Sequence, residues 1–168
     1  MDWLVFLPAC LALNLAFGPN NLLSLTNGAT NGVTFAMGAG FGRLMAFVPM
    51  IAISAVGLGV ILQTSAIVFT IMKAAGAAYL IWLGIRLLRD GGTVVSEDRA
   101  PARSFGAAFR AEALVALGNP KAILIFAAFF PQFVDTGDYW RSYLAVASAF
   151  LALEALAILS YAMIGMIM

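Results

Sequence analysis

Histidine is absent from this sequence, and cysteine occurs once, as Cys10. The first absence removes histidine-based metal sites and the side chain that titrates unperturbed near neutral pH. The second removes any internal disulfide, so cysteine usage says nothing about the redox compartment. Charge is scarce too. Only 10% of residues are charged, where soluble domains carry roughly a quarter. A net charge of +1 gives no reason to expect nucleic acid or an acidic partner. No phosphate-binding loop, metal-spaced cluster or nucleophile triad appears. Gly38, Gly40 and Gly42 imitate a glycine-rich motif but lie in an apolar run, outside any strand–helix–strand context. No cofactor, metal or enzyme activity is therefore expected.

What is present is apolar. The 168 residues are 63% hydrophobic, with a mean hydropathy of +0.99. That is the composition of an integral membrane protein. A bilayer core takes about 20 apolar residues per helix, and five runs qualify: about 3–25, 35–62, 67–88, 107–130 and 143–168. The expected fold is an all-α, polytopic helix bundle forming one transmembrane domain over 1–168. Met1-Asp2-Trp3 carries an acidic residue and no basic one, which argues for an uncleaved first helix. Residues 27–32 read as a turn-type linker, and Pro49 as a kink. Residues 135–138 close the fourth helix, with Tyr139 and Trp140 as interfacial anchors.

Orientation follows from the basic residues. Arg86, Arg89, Arg99, Arg103 and Arg110 flank the hydrophilic loop at about 89–106 and make up five of the nine lysines and arginines. The positive-inside rule puts that loop in the cytoplasm. Three spans back, the N-terminus is then periplasmic.

Two stretches interrupt the apolar runs. Phe17-Gly18-Pro19-Asn20-Asn21 breaks the first, and Leu117-Gly118-Asn119-Pro120-Lys121 breaks the fourth. Proline lacks the N–H and clashes with the preceding turn. Non-helical backbone at membrane depth survives only where protein buries it or a wet cavity receives it. The first run enters from outside and the fourth from the cytoplasm. Two interrupted helices opening two halves of opposite direction is the inverted-repeat pattern of secondary transporters. The first half has three helices and the second shows two, so the chain has five spans or lacks a sixth.

The sequence resembles the LysE/RhtB family of amino-acid exporters. The matching stretches are Gly18-Pro19-Asn20-Asn21-Leu22-Leu23, Leu58-Gly59, and Lys73-Ala74-Ala75-Gly76-Ala77-Ala78-Tyr79-Leu80 with Leu83-Gly84-Ile85-Arg86-Leu87-Leu88. Gly118-Asn119-Pro120-Lys121-Ala122 and Phe130-Pro131-Gln132-Phe133-Val134 complete them. Their order and spacing carry the resemblance. Phe17 departs from it, standing where family members usually carry proline. The resemblance implies secondary transport, exporting amino acids or related small metabolites across the bacterial inner membrane. It also implies drive by the proton gradient or membrane potential, and a homodimer. The alternative is a truncated, non-transporting membrane protein that only packs with partner helices.

The candidate substrate- or ion-binding residues are Gly18, Pro19, Asn20, Asn21, Arg43, Asn119, Pro120, Lys121 and Glu154. Asn20 and Asn21 either satisfy carbonyls freed at the first break or also contact substrate, since an amide both donates and accepts. Arg43 snorkels to the interface, pairs with Glu154, or holds a substrate carboxylate. Lys121 meets an anionic group near the cytoplasmic mouth. Glu154 stands out as the acidic residue deep in an apolar run; unpaired and ionised it would be expensive there, so it is paired or protonated. It serves a substrate ammonium or a coupled proton, or forms a structural pair with Arg43 or Lys121. Asn14 bonds across helices, Lys73 snorkels, and Gln132 is a weaker cavity residue. Gly38 and Gly42 form a close-packing face. Asp90, Glu97, Asp98 and Glu112 read as solvated loop charges.

Overall fold

The computed structural model describes residues 2–89 and 104–168. Most of the expected cytoplasmic loop, with Asp90, Glu97, Asp98, Arg99 and Arg103, lies outside them. Among the described residues the chain is helical and contains no strand.

The first apolar run is two helices. Helix α1, Trp3–Leu15, starts at Asp2, whose Oδ1 accepts from the Leu4 and Val5 amides at 3.1 and 3.3 Å. It stops short of the Gly-Pro pair. Helix α2, Pro19–Asn31, then begins with proline at its first position and Gly18 as its N-cap. That is where the missing N–H does no harm. The two axes bend by 64°. The linker expected at 27–32 is a correction: α2 runs through it. Thr26 Oγ1 bonds back to the Leu22 and Leu23 carbonyls, and Thr30 Oγ1 to that of Thr26. Only Gly32 lies between helices, at φ 85°, a conformation that favours glycine.

Helix α3, Val33–Thr64, is long and carries Pro49 within it. Helix α4, Ala66–Arg89, returns. The fourth run is again broken. Helix α5, Phe105–Leu117, ends at Gly118, and Asn119 caps helix α6, Pro120–Leu124. A π-helical segment, Ile125–Phe129, leads into helix α7, Phe130–Phe133. The bend across this break is 49°. Helix α8, Tyr139–Ile167, closes the described chain.

Helices α3 and α8 are each long and apolar enough to cross a membrane, and the number of spans reaches four if each bent pair is one. In α4, the expected further span, Ala66–Tyr79 is a shorter apolar stretch. Phe41, Met45, Val48, Ile53, Val56 and Val60 are exposed along α3, as a lipid-facing flank requires. The fold is an all-α polytopic membrane protein.

Packing differs along the bundle. Near Gly28, Gly165 and Gly42 the helices touch by backbone. A Cβ on Gly28 would overlap the Ala162 main chain, one on Gly165 the Leu25 carbonyl, and one on Gly42 the Phe109 carbonyl. Close approach of this kind takes small residues. At the other end the core is aromatic. Phe47, Phe126, Phe130, Phe150 and Tyr143 are buried and pack with ring centroids between 5.2 and 5.7 Å apart. Between these two regions lies a layer of polar side chains.

Candidate functional site

The polar layer is built where the two breaks face α3 and α8. Its centre is Arg43, which is fully buried although it stands ten residues into an apolar helix. Interface snorkelling is thereby excluded for this residue. The guanidinium uses both edges. Nε and Nη2 donate to Glu112 Oε2 at 3.0 and 2.9 Å. Nη2 also donates to Ser24 Oγ at 2.6 Å and to the Asn20 carbonyl. Nη1 donates to Glu154 Oε1 at 2.7 Å and to Asn21 Oδ1 at 3.0 Å. Arginine presents five N–H donors in a rigid fork, and this site gives each direction an acceptor.

Glu112 is the main correction to the sequence reading. Expected as a solvated loop charge, it is completely buried on α5. It lies on the face that also buries Ala108 and Ala116. Residues four apart share a helix face, so the small-Glu-small spacing of Ala108, Glu112 and Ala116 was a signal available in the sequence. Glu112 Oε1 accepts from Ser24 Oγ at 3.1 Å, and Oε2 accepts from Asn20 Nδ2 at 3.2 Å as well as from Arg43. Glu154 therefore has company as a deep acidic residue. It is itself 5% exposed, against zero for Arg43 and Glu112. In the amide orientation that satisfies both groups, Asn14 donates to Glu154 Oε2 at 3.2 Å.

The breaks are tied into the same layer. Asn21 Nδ2 donates to the Asn14 and Ala16 carbonyls at 2.8 and 3.0 Å, which the end of α1 leaves without helical partners. Asn20 Nδ2 donates to the Glu112 carbonyl at 3.0 Å. Asn119 Oδ1 caps the Lys121 amide at 3.0 Å, while its Nδ2 donates to Asn20 Oδ1 at 3.1 Å. Lys121 does not meet an acidic side chain by hydrogen bond here. Its Nζ donates to the Leu13 and Ala16 carbonyls at 3.1 and 2.9 Å and lies against Gly18. Of the nine residues named from sequence, Asn20, Asn21, Arg43, Asn119, Lys121 and Glu154 form one connected set. Gly18, Pro19 and Pro120 shape the two helix starts beneath it.

Elsewhere, polar groups serve backbone. Ser54 Oγ donates to the Phe126 carbonyl at 2.9 Å beside the π segment. Gln132 Nε2 donates to the Lys73 and Ala128 carbonyls at 2.7 and 3.0 Å. Tyr139 Oη donates to the Ala55 carbonyl at 2.6 Å, and Trp140 is exposed.

Chemically, the layer holds two carboxylates, one guanidinium and one ammonium within a lipid-spanning bundle. Isolated charges there are expensive, and intramembrane ionisable residues are functional candidates by default. The fold and the site together define a polytopic membrane protein with two broken helices converging on a buried ionic layer. The LysE type translocator family model matches residues 11–167, and the chain belongs to that family. It is 33% identical over 160 residues to an uncharacterized membrane protein of Vibrio cholerae, covering 95% of this chain and 78% of that one. It is 36% identical over 132 residues to the homoserine/homoserine lactone efflux protein of Salmonella typhimurium, covering 79% and 64%. It is 31% identical over 138 residues to the leucine efflux protein of the same organism, covering 80% and 64%. The chain thus spans less than two thirds of the length of these two efflux proteins. No solved structure matches it.

Proposed function

We propose that this chain exports amino acids or related small metabolites across the bacterial inner membrane as a secondary transporter. The driving force is the proton gradient or the membrane potential. The observation that carries the reading is Arg43, held between Glu112 and Glu154 where both broken spans meet. A zwitterionic amino acid needs a cation for its carboxylate and an anion for its ammonium. Arg43 and Lys121 offer the first, Glu154 the second, and Asn20 and Asn119 add neutral contacts. The efflux proteins of Salmonella typhimurium support the substrate class. Alternating access then rocks the two halves about this layer, with the N-terminus periplasmic and the loop at 89–106 cytoplasmic. A homodimer belongs to the same reading, and cross-linking in the membrane tests it.

The test is amino-acid efflux from dipeptide-loaded cells, with and without this chain, across a panel of amino acids. Faster loss of one or a few is expected. Unchanged loss of every amino acid, with the chain verified in the membrane, overturns export by this chain. A purely structural reading has one observation in its favour: among the described residues no buried side-chain polar atom lacks a partner. Glu154→Gln separates the two. Under the export reading it abolishes efflux while the chain still inserts. Under the structural reading efflux is unchanged at every proton gradient.

A further inference from the structure

The two carboxylates on Arg43 are not equivalent. Glu112 accepts from four side-chain donors: Arg43 Nε and Nη2, Asn20 Nδ2 and Ser24 Oγ. It has no exposure. Glu154 accepts from two, Arg43 Nη1 and Asn14 Nδ2, and retains slight exposure. Hydrogen-bond donors favour the charged form of a carboxylate, and Glu112 is the better supplied of the two. Position points the same way. Glu112 is bound to both α2 and α3, so moving it would break the join between the first broken span and α5. Glu154 is joined to α3 through a single guanidinium nitrogen.

We propose that Glu112 is the fixed counter-ion of Arg43 and Glu154 the exchangeable one, so that the proton which moves is carried on Glu154. This deepens the export reading and rests on it for its role in transport. One cycle follows. Open to the cytoplasm, ionised Glu154 exchanges Arg43 Nη1 for the ammonium of the amino acid, whose carboxylate takes the freed guanidinium nitrogen. Open to the periplasm, Glu154 takes a proton, becomes a neutral acid and lets the ammonium leave. Open to the cytoplasm again, it releases that proton and returns to Nη1, so proton and substrate cross in opposite directions. Glu112 stays ionised throughout and holds the guanidinium by its other edge, which makes it a positioning residue. The charged and titratable groups around Glu154 are Arg43 on α3, Glu112 on α5, Lys121 on α6 and Cys10 on α1. Asn14 and Asn21 supply the neutral contacts.

Infrared difference spectra of the chain in liposomes test this, because a buried protonated carboxyl absorbs above the band of water-solvated acids. The expected result is one such component that grows as pH falls, is lost in E154Q and persists in E112D. Should E154Q fail to assemble, N14A must shift the component, because it strips Glu154 Oε2 of its donor. S24A, beside Glu112, must leave it in place. A wild-type chain without the component overturns the assignment, as does its persistence in E154Q or a shift in S24A but not N14A. The spectrum requires no transport. A chain that exports nothing can therefore still pass, while an exporter whose component survives E154Q refutes the counter-ion asymmetry alone.

Discussion

The two helix breaks look like permutations of one another, Gly-Pro-Asn and Gly-Asn-Pro, yet they are held in different ways. In both, proline opens the new helix at its first position. What differs is the residue before it. At the first break this is Gly18, which offers no side-chain cap. At the second it is Asn119, whose Oδ1 caps the Lys121 amide. The second break therefore supports itself. The first is braced: Asn21 from its own helix and Lys121 from the second break reach the carbonyls that α1 leaves open. Lys121 belongs to the second break, so one half of the molecule completes the backbone of the other. Asn20 Nδ2 and Asn21 Oδ1 of the first break meanwhile face Glu112 and Arg43. A single exchange of residue order thus decides which break caps itself and which feeds the ionic layer.

The strongest way to break this comparison is to remove what both halves share. In R43M, Glu112 and Glu154 lose their common partner. Breaking a buried ion pair by deleting one member is worth on the order of 3–5 kcal/mol. Thermal unfolding in detergent should show that loss, and efflux should vanish. The triple variant with R43M, E112Q and E154Q should recover much of the stability and none of the transport, because no carboxylate is left without its partner.

Next in size comes K121M, which attacks only the first break. The Leu13 carbonyl loses its side-chain donor, while Ala16 keeps Asn21. An orphaned buried acceptor costs about 1–3 kcal/mol. Hydrogen exchange should quicken at the amides of Asn20, Asn21 and Leu22 and hold steady at Ala122 and Ile123. Equal quickening at both breaks would sink the claim that the second stands alone.

How much of this was readable beforehand depends on the range of the interaction. The apolar runs and the proline positions are local signals, and they located the breaks and the helical class. The 27–32 stretch misled, because glycine and asparagine usually mark a turn. Gly28 is there instead to admit the Ala162 backbone. That contact joins residues more than a hundred positions apart, and no local pattern carries it. Glu112 misled for a related reason. It sits two residues from Arg110, close to a hydrophilic loop, and composition reads it as wet. Its burial is decided by Arg43, Asn20 and Ser24, all from the other half. Lys121 stands in the polar layer, but its acceptors are main-chain carbonyls, which sequence does not display.

N119A reverses the attack and should be milder. An N-cap asparagine replaced by alanine loses about 1 kcal/mol, and here the bond to Asn20 Oδ1 goes with it. N119S restores the cap and leaves that bond missing. The amides of Lys121 and Ala122 should therefore exchange faster in N119A and recover in N119S, whereas any loss of efflux should persist in both. Recovery of efflux in N119S would mean that the second asparagine matters to transport only through its cap.

The smallest effect belongs to S54A, beside the π segment that follows the second break. The segment Ile125–Phe129 sets its carbonyls out of α-helical register, and Ser54 Oγ takes the one from Phe126 at 2.9 Å. A single neutral hydrogen bond is worth about 0.5–1.5 kcal/mol net, so S54A should lower unfolding stability by no more than that. A π turn inside an α-helix often marks a functional position, and this one lies among Phe47, Phe126, Phe130 and Phe150. If the π turn merely absorbs a packing mismatch, S54A costs stability and leaves efflux rates alone. If it flexes during transport, loosening its carbonyl changes the rate by more than the stability loss explains. The self-supporting break would then lie in the half that moves, and the braced one in the half that holds Arg43 still.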